Sequence, residues 1–102
     1  MTILSEIVEF QRGQFPDGTT AGALSHLERE VRELRESAET DERGRMLLDP
    51  MEAVDVIFLA VAVLYRQGYD PDRLLASKLA INRQRTWPSK PNAAGEFLHV
   101  HD

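Results

Sequence analysis

The sequence has no cysteine, few aromatic residues (7%) and no apolar run long enough to cross a membrane. The absence of cysteine excludes disulfides, thiolate metal sites and a cysteine nucleophile. The longest apolar run, residues 53–65, is interrupted by Asp55 and is too short to span a bilayer. Residues 1–6 lack the basic region of a signal peptide. We therefore expect a cytoplasmic protein with no membrane partner.

Basic residues are also scarce, with 12 Lys and Arg against 17 Asp and Glu and a formal net charge of −5. A chain of this sign repels a phosphate backbone, so nucleic acid is not an expected partner. The length of 102 residues and the 42% hydrophobic content suit one folded domain and leave no room for two. We expect a single domain over residues 1–102.

Turn and capping residues divide the chain into four predicted helices. They cover residue 3 to the turn at 15–18, residues 19/20 to about 39, residues 49 to 68, and residues 70 to about 85. The third starts at Asp49-Pro50, with Glu52 completing a capping box, and Gly68 fits its end. Residues 40–49 are predicted to form an exposed loop and residues 86–102 an irregular tail. No segment alternates long enough to indicate a strand, so the predicted fold class is all-α.

The third predicted helix indicates an oligomer. Its central sequence, AVDVIFLAVAVLY, is apolar on every side apart from Asp55. A helix that is apolar all round must be covered all round, which three other short helices can barely do. We therefore predict a helical bundle shared between the subunits of a homodimer or a larger assembly.

Two pairs of carboxylates stand out from the solvated charges. Glu30 and Glu33 flank the apolar stripe of the second helix, which consists of Leu24, Leu27, Val31, Leu34 and Ala38. Glu52 and Asp55 are three residues apart, hence on one face of the third helix, and Asp55 is expected to be buried. Four converging acids are favourable around a cation, and an all-oxygen site suits Mg²⁺ or Mn²⁺. The alternatives are a solvated acidic face and a salt bridge to Asp55.

The fourth predicted helix offers complementary groups. Lys78, Asn82 and Arg85 form one polar stripe, Arg83 lies on a neighbouring face, and Trp87 follows just beyond. Basic groups near an acidic metal cluster are what a polyphosphate requires. The alternatives are a basic helix end that complements the helix dipole and a tryptophan that closes the core.

Three ordered motifs carry a resemblance to a known family. They are Glu30-x-x-Glu33, Glu52-x-x-Asp55 and Lys78-x-x-x-Asn82-Arg83-x-Arg85-x-Trp87. This set resembles the MazG-like all-α nucleoside triphosphate pyrophosphohydrolases. It is most similar to their dATP/dGTP diphosphohydrolase (MazZ-like) branch, which includes phage enzymes. The segments at residues 15–22, 66–70 and 85–88 also resemble that branch, so the resemblance covers nearly the whole chain.

The resemblance implies an enzyme that hydrolyses a (deoxy)nucleoside triphosphate, with dATP and dGTP as expected substrates, to the monophosphate and pyrophosphate. By this analogy Mg²⁺, or alternatively Mn²⁺, would be held by Glu30, Glu33, Glu52 and Asp55. Lys78, Arg83 and Arg85 would contact phosphates, and Asn82 the metal or the sugar-phosphate. Trp87 is the candidate for stacking on the base. Family members are dimers or dimers of dimers. This agrees with the argument that the apolar third helix needs a second subunit to cover it.

The catalytic step expected by this analogy is attack of water on the α-phosphorus. Glu33 or Glu30 would accept the water proton. Pro88-Ser89-Lys90 replaces the aromatic and basic continuation that this branch has after its Trp-Pro pair. This difference bears on which nucleobase is preferred more than on which reaction is catalysed. The alternatives are the same chemistry on dUTP, dCTP or phosphoribosyl-ATP, and a non-enzymatic helical dimerisation module. The expected compartment is the bacterial cytoplasm, or the host cytoplasm for a phage-encoded protein.

Overall fold

The protein is almost entirely helical in a computed structural model that describes residues 2–100. Its elements are α1 (Ile3–Gln14), α2 (Thr20–Glu36), β1 (Glu39–Thr40), β2 (Met46–Leu47), α3 (Pro50–Arg66) and α4 (Pro71–Gln84). The predicted all-α class is confirmed. The described residues form two compact units, one that ends at Pro71 and one that begins at Asp72. The single domain over residues 1–102 stays a prediction, and residues 101 and 102 of the predicted tail lie outside the described part.

The helix starts agree with the capping residues read from the sequence. The Thr19 side chain accepts a hydrogen bond from Gly22 N at 3.0 Å, and Asp49 accepts one from Met51 N at 3.0 Å. Pro50 occupies the first position of α3. Side chains at these positions satisfy amides that have no partner inside the helix. No helix within residues 2–100 combines the length and apolar character needed to cross a membrane.

The segment predicted to be an exposed loop contains a short hairpin instead. β1 pairs antiparallel with β2, with Glu39 opposite Leu47. Asp41 Oδ1 accepts hydrogen bonds from Arg43 N at 2.9 Å and Arg45 N at 2.8 Å, and Gly44 turns the chain at φ 79°. The prediction of no strand was wrong for these residues, because strands of two residues are too short to show alternation. Helix α2 ends at Glu36, three residues before the predicted end near residue 39.

The core of the first unit lies between α1 and α3. Ile7 and Val8 of α1 pack against Val61 of α3, and Leu4, Phe58 and Tyr65 surround them. Helix α2 packs along α3 more extensively than α1 does. Thus α3 is the central helix of this unit, as its apolar sequence predicted.

One chain does not cover the apolar surface of α2 and α3. The exposed fraction is 45% for Leu24, 48% for Val31 and 53% for Ile57. A single chain therefore leaves Leu24 and Val31 of the predicted core stripe exposed, because α3 covers only part of that stripe. Several large apolar side chains left exposed on two packed helices are typical of a protein in which another subunit covers them.

Arg66 fastens the loop between α1 and α2 to the end of α3. Its guanidinium donates to Gly18 O at 2.7 Å and to Phe15 O at 2.9 Å. The same group lies 5.0 Å from the centre of the Tyr65 ring. Because the planar guanidinium reaches two carbonyls at once, a lysine cannot replace it.

We expect Arg66→Lys to lower the free energy of unfolding by about 1–2 kcal/mol, since at least one charge-assisted hydrogen bond is lost. Urea denaturation followed by circular dichroism measures this change. Arg73→Lys, at an exposed position of α4, is the matched control and should leave the midpoint unchanged. Equal midpoints for the two variants would show that the Arg66 contacts do not stabilise the fold.

Candidate functional site

Three of the predicted metal ligands converge where α2 packs against α3. Glu30 and Glu33 lie on one face of α2, and Glu52 lies in the first turn of α3. One carboxylate oxygen from each lies within 4.8 Å of the other two. The i, i+3 spacing accounts for the first two residues, whereas the third joins them only through helix packing.

Two carboxylate oxygens in this cluster are buried without a donor. Oε1 of Glu30 lies 3.0 Å from Nε2 of His26. Oε2 of Glu30 and Oε2 of Glu52 are both buried and have no hydrogen-bond partner in the described part of the chain. A buried carboxylate oxygen without a donor is costly. A divalent cation that prefers oxygen ligands would satisfy both atoms, so the residues present fit such an ion.

The cluster is also electrostatically strained. The pKa of Glu33 is raised by the neighbouring Glu30 carboxylate, first through a hydrogen bond that only a protonated Glu33 can donate and then through the Glu30 charge. The pKa of Glu52 is raised first by burial and then by the charges of Glu33 and Glu30. Both shifts show that these acids disfavour ionisation beside one another. A bound cation would remove that repulsion.

Asp55, the fourth predicted ligand, lies one turn along α3 from Glu52. It is exposed within a single chain, which does not cover this side of α3, so the predicted burial is not reached there. It is outside the group of three close carboxylates, but its charge contributes to the raised pKa of Glu52. No ion pair to Asp55 is present among residues 2–100, so the salt-bridged alternative finds no support there.

The predicted phosphate-binding residues belong to the second unit. Lys78 and Arg83 are exposed on α4, and Arg85 follows one residue after its end. Asn82 Oδ1 accepts from Arg85 at 3.3 Å, while the Asn82 carbonyl accepts from the Trp87 indole N–H at 2.7 Å. The end of α4 therefore groups Asn82, Arg85 and Trp87, and the roles of these residues stay predictions.

A cavity of about 380 Å³ lies between α1, α2 and α3 in the first unit. Glu30 and Asp55 line it, so it adjoins the acidic cluster. Phe10, Phe15 and Phe58 also line it.

The sequence did not predict this cavity or the buried residue in its wall, Gln11, whose exposed fraction is 5%. A glutamine on a short amphipathic helix is typical of a solvent-facing position. Only the packing of α1 on α3 buries it, so the sequence offers no signal for its role.

Comparison with known proteins finds similarity to dATP/dGTP pyrophosphohydrolases. A sequence model of the dATP/dGTP pyrophosphohydrolase family matches residues 3–102. The dATP/dGTP diphosphohydrolase of Cyanophage S-2L is 34% identical over 87 residues, which are 85% of this chain and 76% of that protein.

A solved structure is similar over almost the whole chain. It is the Cyanophage S-2L MazG-like pyrophosphohydrolase bound to dGDP and three catalytic Mn²⁺ ions per active site. The similarity has a TM-score of 0.67 and 29% identity, and covers 97% of this chain and 90% of that one.

Proposed function

The chain belongs to the dATP/dGTP pyrophosphohydrolase family, and from this premise we propose that it hydrolyses dATP and dGTP to the monophosphate and pyrophosphate. It is a metal-dependent nucleotide pyrophosphohydrolase, as its sequence predicted. The observation that carries the proposal is the meeting of three carboxylate oxygens within 4.8 Å. Such a group suits a divalent cation that binds phosphates.

We propose that Glu30, Glu33, Glu52 and Asp55 hold the divalent cation, which is Mg²⁺ with Mn²⁺ as the alternative. The two buried carboxylate oxygens without donors, on Glu30 and Glu52, support this set. The bound metal would neutralise phosphate charge and lower the pKa of a water molecule. The similar cyanophage structure contains Mn²⁺, so the choice of Mg²⁺ is part of the proposal.

Of the two predicted bases, we propose Glu33 as the group that accepts the proton from the attacking water. Glu30 is held by His26 through one oxygen, and its other oxygen is buried. Glu33 is exposed, so water can reach its carboxylate. A base must lie within hydrogen-bond reach of the proton it removes, which favours the accessible carboxylate.

For the substrate we propose the residues at the end of α4. Lys78, Arg83 and Arg85 carry the positive charge that phosphates require. Asn82 contacts the metal or the sugar-phosphate. The Trp87 indole N–H donates to the Asn82 carbonyl, and the residue is 42% exposed, which favours a role for this side chain in stacking on the nucleotide.

We further propose a homodimer, or a dimer of dimers, as the working state. The exposed apolar side chains of α2 and α3 support it, Leu24, Val31 and Ile57 among them. We place the enzyme in the cytoplasm, of a bacterium or of a phage host, because the proposed substrates are found there.

The proposed reaction is tested by incubating the protein with each dNTP, and separately with phosphoribosyl-ATP, in the presence of Mg²⁺ in ¹⁸O-labelled water. We expect dATP and dGTP to yield deoxynucleoside monophosphate and pyrophosphate, with the label in the monophosphate, and chelation by EDTA to stop the reaction. Hydrolysis only of dUTP, dCTP or phosphoribosyl-ATP would contradict the proposed substrates. Release of orthophosphate would contradict attack at the α-phosphorus. The alternative of a dimerisation module predicts no product and no thermal stabilisation by Mg²⁺ with a dNTP.

A further inference from the structure

The cavity beside the acidic cluster has the chemistry of a nucleobase site. Its aromatic wall includes Phe10 and Phe15, whose rings meet edge to face at 5.9 Å. Phe58 adds a third aromatic side chain. Sites for small molecules are typically apolar, with a few polar groups that fix orientation. The cavity also reaches Glu30 and Asp55, so a ligand inside it adjoins the acids proposed to bind the metal.

Gln11 supplies the polar group in the wall of this cavity. Its Nε2 donates to the Phe58 carbonyl at 2.7 Å. Because a carbonyl oxygen only accepts, this bond determines which end of the amide is nitrogen and which is oxygen. The remaining atom, Gln11 Oε1, is buried and has no partner among residues 2–100. A buried acceptor without a donor in a cavity wall calls for a ligand that donates.

We propose that this cavity binds the nucleobase of the substrate and that Gln11 Oε1 accepts a hydrogen bond from the Watson–Crick edge of the purine, from the 6-amino group of adenine in dATP and from N1–H of guanine in dGTP. This inference rests on the proposed function and extends it to base recognition. The 6-amino group is the only N–H donor on the adenine base of a nucleotide. An acceptor that recognises dATP through its base must therefore meet this group.

The test compares dATP with purine 2′-deoxyriboside triphosphate, which lacks the 6-amino group. We expect the wild-type kcat/KM to be at least about tenfold higher for dATP, since the analogue leaves Gln11 Oε1 without a donor. In Gln11→Met, which keeps the length of the side chain and removes the acceptor, we expect the ratio to fall close to one. Gln14→Met, at an exposed position of the same helix, should keep the wild-type ratio.

Two outcomes would overturn the proposal. One is a Gln11→Met variant that loses activity on both nucleotides equally, because that indicates only a structural role for the bond to Phe58. The other is a wild-type protein that does not distinguish the two nucleotides, a result that holds even if the variant fails to fold.

Calorimetric titration with the two corresponding monophosphates repeats the comparison without turnover. We expect tighter binding of deoxyadenosine monophosphate to the wild-type protein and equal binding of the two ligands to Gln11→Met. Discrimination in binding with no hydrolysis would contradict the proposed reaction and support the base site. Hydrolysis of dATP with no discrimination in either assay would contradict the base site alone.

Discussion

Replacing Glu52 with glutamine is expected to reduce hydrolysis of dATP and dGTP at least about a hundredfold, because a carboxylate proposed to hold the metal is lost. The same change should raise the melting temperature of the metal-free protein at neutral pH. Burial, and then the charges of Glu33 and Glu30, raise the pKa of Glu52 in the folded state. Its ionised form therefore destabilises the native protein, and a neutral amide removes that cost.

The sign of the pH dependence follows from the raised pKa. A carboxyl group whose pKa is raised on folding contributes stability below its unfolded pKa, and this contribution is lost as the pH rises through the folded value. Below the ordinary pKa of a glutamate side chain the wild-type Glu52 is protonated in both the folded and the unfolded state, so the melting temperatures of the two proteins should converge there. At neutral pH the Glu52→Gln variant should melt at the higher temperature. Differential scanning calorimetry at the two pH values measures the gap.

The exposed Glu28 of α2, which lies outside the three-carboxylate cluster, provides the control. Glu28→Gln should leave both activity and melting temperature near the wild-type values. Mg²⁺ should stabilise the wild-type protein and Glu28→Gln but not Glu52→Gln, since only a native state that binds the ion gains stability from it. Full activity of Glu52→Gln would remove this carboxylate from the proposed metal site. A lower melting temperature at neutral pH would contradict the repulsion among Glu30, Glu33 and Glu52.

Replacing Ile57 with glutamate should convert the proposed homodimer, or dimer of dimers, into a smaller species. Ile57 lies on α3 with an exposed fraction of 53%, and the α2 side chains Leu24 and Val31 are similarly exposed. A charge placed in an apolar interface loses its hydration without gaining a partner. We expect the molar mass measured by light scattering to fall at least by half, while circular dichroism keeps its helical signal.

A control for this substitution uses an apolar residue that is exposed elsewhere. Ile3, at the start of α1, is 69% exposed, and Ile3→Glu should keep the mass of the wild-type protein. A wild-type protein with the mass of a single chain would contradict the proposed oligomer. So would an Ile57→Glu variant with unchanged mass at low concentration.

Local signals in the sequence were sufficient to predict the four helices. Thr19 and Asp49 accept hydrogen bonds from the first amides of α2 and α3, and Pro50 suits the first turn. Capping depends on residues within one turn of each other, so it can be read without knowing the fold. The hairpin at residues 39–47 escaped prediction because Asp41 and Gly44 build its turn while its strands contain only two residues each.

By itself, then, the sequence determined the helices, the pairing of Glu30 with Glu33 on one face, and the family through its ordered motifs. Only the tertiary structure decided that Glu52 reaches that pair, that Asp55 is exposed, and that Gln11 is buried with a free acceptor. The physical reason is the range of the interactions. Caps and helix faces depend on neighbours three or four residues away, whereas burial and the meeting of charges depend on how α1 and α2 pack against α3.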